Sequence, residues 1–449
     1  MGYHLNMSDA IEEPDSLETE SPRSNSTSRR RFRFSIRFLL LATLIAACVV
    51  AWANQRAKEC EAEANIVEQL QADGMDIKPV SDRANWFEQV TGSRFSKQSY
   101  QVLLESRDIR AISRLKELEH VVSIRSRIVH EDLYAYSHFK NLKSLYLSSC
   151  FALQSLEGVE KLQSLEELTI VDADQLQSCK PLASLKNLKH LRLDYDDDSK
   201  LKDLDEVLPQ MSGLRSFSTD VFTPDSFECF AGLKNLEEID LELDFSNATS
   251  LDGLDKAPNL KKLWLCYCDK ITDLKALDSM SAMTELRLDA GFTSLEFVQQ
   301  MKSLRLLDIS LGQLEASASP EALESLGQLE HLNINCEGLE AIGSLSQLTN
   351  LRYLRLSGTF SSEFDLSAFK AMPLEELSLN SVKNLASLDG IESAPSLRVI
   401  RISDCSDLTD IQALGELGLI KIRILNCNIP GEQIIALQSK LPNAEFAIY

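Results

Sequence analysis

Aromatic residues, histidines and catalytic motifs are all scarce in this chain. Only 7% of the 449 residues are Phe, Trp or Tyr, and there are 17 Gly, 12 Pro and 6 His. The sequence has no Gly-rich phosphate loop, no HExxH or GxSxG motif and no CxxC pair, which are patterns that carry catalysis or metal binding. We therefore predict no enzymatic activity, no cofactor, no metal and a mainly aliphatic core.

Cysteines and long apolar runs are also few. Ten cysteines in 449 residues are far below the density of disulfide-stapled secreted scaffolds. The composition is 44% hydrophobic and 25% charged, which excludes both a disordered chain and a membrane protein with many spans. A large folded part with thiol cysteines is expected.

Basic residues are outnumbered, and the formal net charge is -22. Residues 1–53 hold six acids and six arginines, so the whole excess of negative charge lies in residues 54–449. An acidic surface repels phosphate groups, which argues against nucleic acid as a partner of the folded part.

One apolar segment follows a cluster of arginines. The sixteen residues from Phe38 to Ala53 carry no charge, and they come directly after Arg29–Arg37, which contains five arginines. A spanning helix has about 20 residues, and flanking arginines mark the cytoplasmic side. The pattern predicts a signal anchor that spans the membrane at residues 38–53, with the following chain exported to the periplasm or the cell exterior.

Two alternatives to an uncleaved anchor remain open. Ala51-Trp52-Ala53 fits a small-x-small cleavage site, and Ile45-Ala46-Ala47-Cys48 resembles a lipobox. Either would release or lipidate the exported part. The long amino-terminal region and the apolar residues beyond Cys48 favour the uncleaved anchor.

A repeating motif, L-x-x-L-x-L, fills most of the chain. It starts thirteen times between Leu142 and Leu419, on average about 23 residues apart, which lies within the 20–29 residues of a leucine-rich repeat. The pattern L-x-x-L-x-L-x-x-C/N resembles the leucine-rich repeat family. The resemblance implies an α/β solenoid with a parallel sheet on its concave face and short helices or 3₁₀ turns on its convex face.

The ninth position of the motif holds cysteine in four repeats, at Cys150, Cys268, Cys405 and Cys427. Family members place Asn or Cys there, pointing inward, so we interpret these residues as buried thiols. Cys405 and Cys427 could lie one strand apart, and their disulfide state stays open. Cys266 and Cys268 should face opposite sides of the sheet.

The two ends of the chain differ from the repeats. A helix that stops at Asp73-Gly74 and the segment Trp86–Gly92 are similar to the juxtamembrane region of bacterial single-pass leucine-rich repeat proteins. The expected organisation is a disordered cytoplasmic tail (1–31), a transmembrane signal-anchor helix (32–53), a juxtamembrane helix and amino-terminal cap (54–114), leucine-rich repeats (115–427) and a carboxy-terminal cap (428–449).

The third, fifth and seventh motif positions should point outward from the strands and form the concave face. Most charged side chains of this face are acidic in the early repeats, where His190 and Arg192 are the exceptions. In the later repeats most are basic, and Lys421 is among them. Trp264 is expected to be exposed as a binding anchor, or else to pack along the sheet. The candidate binding residues are Glu167, Arg192, Asp194, Asp220, Glu238, Asp240, Glu242, Lys262, Trp264, Tyr267, Arg287, Tyr353, Arg355, Arg401 and Arg423.

These features predict a membrane-anchored, non-catalytic scaffold that recognises an unidentified protein through its concave sheet; a glycan ligand stays possible. The alternative is a structural or adhesive cell-envelope protein without a single high-affinity partner. A catalytic or metal role for His120, His130 and His138 is disfavoured, because no second ligand set follows at a suitable spacing.

Overall fold

The computed structural model describes residues 36–80, 98–105, 110–127, 130–195, 201, 203–220, 222–244, 246–292, 294–313, 321–339, 342–360 and 366–449. The predicted tail and the Trp86–Gly92 segment lie outside the described residues. The chain divides into two units, residues 1–58 and 59–449. Of the first unit, the structure describes the beginning of one helix.

Seventeen strands and five α-helices make up the described elements. The helices are α1 (Ile36–Ala72), α2 (Arg110–Leu115), α3 (Leu204–Val207), α4 (Glu321–Glu324) and α5 (Gly431–Lys440). The strands are β1 (Asp76–Pro79), β2 (Tyr100–Leu104), β3 (Val121–Ser126), β4 (Ser144–Leu147), β5 (Glu167–Val171), β6 (His190–Asp194), β7 (Ser216–Thr219), β8 (Glu238–Glu242), β9 (Lys262–Cys266), β10 (Glu285–Phe292), β11 (Leu306–Gln313), β12 (His331–Leu339), β13 (Tyr353–Phe360), β14 (Glu376–Lys383), β15 (Val399–Ser403), β16 (Lys421–Leu425) and β17 (Glu445–Ile448).

The strands form one sheet in which each pairs with the next along the chain. All pairings from β2 to β17 are parallel, and β1 alone is antiparallel, to β2. The thirteen predicted motif starts correspond to β4–β16, so the predicted parallel sheet of a repeat solenoid is confirmed. Between the strands the chain returns through short helical turns, mostly 3₁₀ helices such as Val159–Lys161 and Ile391–Ser393.

The core is a column of aliphatic side chains stacked from repeat to repeat. In the repeat that starts at Leu142, every predicted inward residue is at most 1% exposed, including Cys150 and the leucines of the convex wall. One repeat has no second layer to cover this face, so burial depends on both neighbours. Each buried leucine contributes roughly 1.5–3 kcal/mol relative to an exposed one.

Glycine before a 3₁₀ turn lets neighbouring repeats approach closely. Gly158 has φ of 100°, and a Cβ atom there would lie 2.5 Å from the backbone nitrogen of Tyr134 in the preceding repeat. Gly253 has the same left-handed conformation against Phe227. Any side chain at these positions would push the repeats apart.

The described ends of the solenoid are covered differently. At the amino-terminal end, Leu70 near the end of α1 is buried in the core, and the Nε2 of Gln71 donates a hydrogen bond of 2.7 Å to the carbonyl of Ile77. At the other end, α5 and β17 follow β16, as the sequence predicts, and Lys440 forms an ion pair with Glu416.

Candidate functional site

The concave face carries three rows of side chains, one residue per strand in each row. Consecutive strands are in register, so residues at the same motif position lie side by side, about 4.8 Å apart. We call the rows first, middle and third, after the third, fifth and seventh motif positions. The middle row, from β8 to β16, is Asp240, Trp264, Arg287, Asp308, Asn333, Arg355, Ser378, Arg401 and Arg423.

The charges on this face are separated along the solenoid. On β5–β8 the three rows hold six acidic side chains and one basic side chain, Arg192. On β12–β16 they hold four basic side chains and one acidic side chain, Glu376. We call these regions the acidic region and the basic strip. The acidic region consists of Glu167, Asp194, Asp220, Glu238, Asp240 and Glu242, together with Arg192. The basic strip consists of Arg355, Arg401, Lys421 and Arg423, together with Glu376.

Burial raises the pKa of two carboxyl groups in the acidic region. Asp220 accepts hydrogen bonds of 2.9 and 3.0 Å from the backbone N–H of Tyr195, yet burial raises its pKa to about 6. Burial also raises the pKa of Asp240, which accepts a 3.3 Å hydrogen bond from Ser218. Arg192 donates to Asp194 at 2.7 Å. The hydrogen bond from Arg192 thus relieves only part of the repulsion among the carboxylates of the acidic region.

Trp264 is half-buried, which corrects the expectation of an exposed anchor. The guanidinium carbon of Arg287 lies 4.2 Å from the centre of the indole ring. The indole Nε1 and the Arg287 Nε are both buried, and neither has a hydrogen-bond partner in the part of the chain that the structure describes. Arg287 therefore covers one face of the ring. Tyr267 is 51% exposed, but it lies in the turn after β9 with φ of 54° and outside the three rows.

The basic strip adjoins a pair of stacked rings in the first row. His331 and Tyr353 are parallel, with ring centres 4.3 Å apart, and Tyr353 is 38% exposed. Arg401 forms an ion pair with Glu376, and Lys421 forms one with Glu445 at 2.9 Å. Arg355 and Arg423 are exposed, and among the described residues neither forms an ion pair.

Two cavities lie side by side on the concave face. One, of about 580 Å³, is lined by Arg287, Asp289, Asp308, Asn335 and Lys383 among others. The second, of about 420 Å³, lies between the His331–Tyr353 pair and the middle row and is lined by Arg355, Ser378 and Arg401. Asp308 and Asn333, joined by a 2.7 Å hydrogen bond, line both cavities. Burial raises the pKa of Asp308.

The larger cavity lies beside a change in strand length that the repeat motif does not predict. β10–β14 have eight or nine residues, whereas the strands before them have four to six. The register shifts near the ends of β10–β13, so these strands carry bulges beside the larger cavity. The ninth motif position gives no signal for this change, because it also lacks Cys or Asn in repeats with short strands, such as the one that starts at Leu165.

Comparisons with known proteins address the fold. No family model and no curated protein matches the sequence. Among solved structures, the chain is similar to a leucine-rich repeat protein of Leptospira interrogans, with a TM-score of 0.56 and 18% identity over 75% of this chain and 92% of that one. It is also similar to an internalin of Listeria monocytogenes, with a TM-score of 0.50 and 15% identity over 75% of this chain and 88% of that one. The fold is that of a leucine-rich repeat protein.

The leucine-rich repeat geometry explains the cysteines. Cys150, Cys268 and Cys405 are buried, and burial raises their pKa to about 12, 12 and 11. Cys427 is half-buried and contacts Cys405, and both are free thiols in this structure. Cys266 lines the larger cavity while Cys268 points inward, as the strand alternation predicts.

The histidines before the regular repeats do not assemble a site. His120, His130 and His138 lie around β3 and the turn after it, and His120 Nε2 is 4.0 Å from a carboxylate oxygen of Glu119. Among the residues that the structure describes, no three His, Cys, Asp or Glu side chains are placed to hold a metal ion.

Charges just before the strands behave differently from those on the concave face. In this leucine-rich repeat chain, the side chains at the second motif position alternate between positive and negative charge from Lys143 to Lys261, except that Lys189 and Arg215 are both positive. These side chains form ion pairs with those of neighbouring repeats. Ion pairs join Lys143 to Glu166 at 3.1 Å, Arg215 to Glu237 at 3.6 Å and Lys261 to Glu237 at 3.2 Å. We call these side chains the paired row. Its charges are satisfied within the protein.

α1 has the properties of a membrane-spanning helix. Among the described helices it is long and apolar enough to cross a membrane, and the apolar side chains in its first half are exposed. It runs from Ile36 through the apolar segment to Ala72, and Gly74, with φ of 88°, follows its end.

Proposed function

We propose that this protein is a non-catalytic scaffold, anchored in a membrane by α1, that recognises a protein partner through the concave face of its leucine-rich repeats. The observation that carries the proposal is the contrast between the paired row and the concave face. Charges of the paired row neutralise each other, whereas those of the concave face are separated into an acidic region and a basic strip. Charges that are separated by sign along a rigid sheet suit a partner with a complementary surface.

The proposed binding residues are those of the concave face. A curved sheet holds side chains from many strands in fixed positions, so a partner forms many contacts without reorganising the sheet. The indole ring of Trp264 packs against the guanidinium group of Arg287. In this proposal Trp264 therefore shapes the concave face and does not insert into the partner. The proposed set is Glu167, Arg192, Asp194, Asp220, Glu238, Asp240, Glu242, Lys262, Arg287, Tyr353, Arg355, Arg401 and Arg423.

We further propose a signal-anchor topology, with the tail in the cytoplasm and the repeats exported. The arginines before the apolar segment support this orientation. In this proposal residues 1–31 are the tail, 32–53 the anchor, 54–114 the juxtamembrane helix and cap, 115–427 the repeats and 428–449 the terminal cap.

Cross-linking in native cells tests recognition. A photo-reactive amino acid replaces Ser378, in the middle row, and in a matched control it replaces Gln300, which is exposed in a turn outside the three rows. We expect one discrete cross-linked protein at Ser378 and none at Gln300. Equal diffuse labelling at both positions, or none at either in a correctly inserted protein, would favour the structural or adhesive role.

Amine labelling tests the topology. The first lysine of the chain is Lys58, so residues 1–53 contain no lysine side chain. A membrane-impermeant amine reagent, applied to cells stripped of any outer barrier, should label lysines of the repeats. Labelling only after the membrane is permeabilised would reverse the proposed orientation.

A further inference from the structure

We infer that the basic strip binds an acidic segment of the partner polypeptide, held in an extended conformation across strands β13–β16. This inference rests on the proposed recognition role of the concave face and adds the chemistry of the segment that is recognised. The carrying residues are Arg355, Arg401 and Arg423, with Tyr353 and His331 beside them.

Two of the four cations of the basic strip lack an ion pair within the described part of the chain, whereas Arg401 and Lys421 each form one. Arg355 and Arg423 are exposed and form no ion pair within the described part of the chain. Arg401 has one acidic neighbour, Glu376. The chain has a net charge of -22, and in the paired row carboxylates lie next to the basic side chains. Arg355 and Arg423 have no such carboxylate partner in the described part of the chain.

Two of these arginines are directly opposite each other. Arg401 on β15 is the register partner of Arg423 on β16. Like charges at such positions destabilise a sheet, because the Cβ atoms of directly opposite residues lie only about 5 Å apart. An anion placed between the two guanidinium groups removes this repulsion. The arrangement therefore favours a bound state in which a carboxylate bridges Arg401 and Arg423.

The smaller cavity supplies the surface for the rest of the segment. It has a volume of about 420 Å³ and opens between the His331–Tyr353 stack and the middle row. Pockets of roughly 300–1,000 Å³ hold small ligands or a few residues of a peptide. The rings offer an apolar contact for the peptide backbone, while guanidinium groups offer paired N–H donors that match a carboxylate.

The spacing of the arginines selects the position of the acidic residues. Arg355 and Arg401 are separated by two strand steps, with Ser378 between them, which is about 10 Å. A polyproline II segment has three residues per turn and rises about 3.1 Å per residue, so its residues i and i+3 share one side about 9 Å apart. Acidic residues three positions apart in such a segment match this pair of arginines.

A polypeptide fits this face better than a uniform polyanion. The basic strip spans three strand steps from Arg355 on β13 to Arg423 on β16, about 14 Å at about 4.8 Å per strand. Beyond it, towards β8, the face becomes acidic through Asp240 and Glu242. A polysaccharide with a charge on every unit would meet this repulsion, whereas a polypeptide can change the sign of its charge within a few residues.

Peptide binding to the full-length protein in a nonionic detergent tests the inference. The probe is a fluorescent six-residue peptide of proline and glutamate that contains two glutamates three positions apart, measured by fluorescence anisotropy. One comparison peptide has glutamine in place of glutamate, and another has the same composition with glutamates at alternate positions. We expect the first peptide to bind at least tenfold more tightly than the glutamine peptide, and more tightly than the alternate-spacing peptide.

Variants assign the binding to the basic strip. Arg355→Glu and Arg423→Glu should each weaken binding of the first peptide at least tenfold. The matched control is Lys302→Glu, which makes the same charge change at an exposed turn outside the three rows and should change binding less than twofold. Unchanged unfolding temperatures would show that the variants fold.

Several results would overturn the inference. They are no binding of the acidic peptide, equal binding of the glutamine peptide, an effect of Lys302→Glu as large as that of Arg355→Glu, or tighter Arg355-dependent binding of polygalacturonate. Equal binding of the alternate-spacing peptide would overturn the assigned spacing. If the Ser378 cross-link persists in Arg355→Glu, the concave face recognises its partner by other chemistry and the proposed function survives. Absence of a cross-link from position 378 in native cells, with Arg355 intact, refutes the proposed function itself.

Discussion

Arg287 covers the indole ring of Trp264, with its guanidinium carbon 4.2 Å from the ring centre. The two residues are register partners on β10 and β9, in the middle row. The contact brings a cation onto an aromatic face and hides the indole N–H, which has no acceptor among the described residues. Trp264 therefore holds the side chain of Arg287 in place on the strands that lie between the acidic region and the basic strip.

The first prediction separates the ring of Trp264 from its N–H group. Trp264→Phe keeps an aromatic surface under Arg287 and removes a buried donor without a partner, whose burial costs about 1–3 kcal/mol. We expect its free energy of unfolding to equal or exceed that of the unmutated protein. Trp264→Ala should lower it by about 2–4 kcal/mol, because the ring contacts and the cation–π contact are lost. Urea unfolding of the full chain measures both.

Emission of Trp264 provides the control for this prediction. In a background with Trp52→Phe and Trp86→Phe, Trp264 is the one remaining tryptophan. Its emission should shift to longer wavelength in Arg287→Ala, because water reaches the uncovered ring. An unchanged spectrum would mean that Arg287 does not shield the ring in solution.

The second prediction concerns Asp220, whose pKa is raised by burial to about 6. In the unfolded chain an aspartate has a pKa of about 3.9, so the folded state holds the proton more tightly. The stability from this group is present below about pH 4 and is lost as pH rises to about 6. Asp220→Asn, whose side-chain oxygen can still accept the N–H of Tyr195, should raise the free energy of unfolding at pH 7 by about 1 kcal/mol after allowance for solvent screening.

A pH series distinguishes this effect from a general change of charge. Near pH 4 the gain of Asp220→Asn should disappear, since the unmutated carboxyl group is then protonated. The control is Asp389→Asn, an exposed aspartate at the opposite end of the repeats, for which we expect a change below about 0.5 kcal/mol at either pH. A gain at pH 7 that persists at pH 4 contradicts the assigned cause.

The third prediction tests the paired row. Glu237 lies between Arg215 and Lys261 and pairs with both. Glu237→Lys places four cations next to one another, Lys189, Arg215, the introduced lysine and Lys261. We expect a loss of about 1 kcal/mol in the free energy of unfolding, because exposed ion pairs are individually weak. Adding Arg215→Glu and Lys261→Glu restores opposite charges and should recover most of the loss. Thermal unfolding at low and high salt measures this, and a loss that no partner reversal recovers would show that the pairs are not coupled.

The repeat motif predicted the parts of this fold that depend on position along one repeat. The alternation of the strand correctly placed Cys268 inside and Cys266 on the concave face, and the leucine spacing predicted the 3₁₀ turn at Val159–Lys161. These features follow from local geometry and from the need to bury one face of every repeat. They require no knowledge of the neighbouring repeat.

Features that depend on two or more repeats were not predictable in this way. Arg287, one repeat later, covers one face of Trp264, and the backbone N–H of Tyr195, one repeat earlier, donates to Asp220. Strands β10–β14, which lie beside the larger cavity, are longer than those of other repeats that share the same motif. The motif therefore predicts where a strand begins but not where it ends.

The last prediction concerns the junction between α1 and the amino-terminal cap. Leu70 is 2% exposed and belongs to the core, although it lies on the same helix as the apolar segment. Leu70→Ala should lower the free energy of unfolding of the cap by about 2–4 kcal/mol, because a buried leucine is replaced by a cavity. In a repeat protein this loss stays near the affected end. Hydrogen exchange should therefore accelerate in β1 and β2 and remain unchanged in β15 and β16.

The control is Gln69→Ala, at an exposed position of the same helix, which should leave both regions unchanged. Uniform acceleration along all strands would contradict a local role for Leu70 and would show that the solenoid unfolds as one unit.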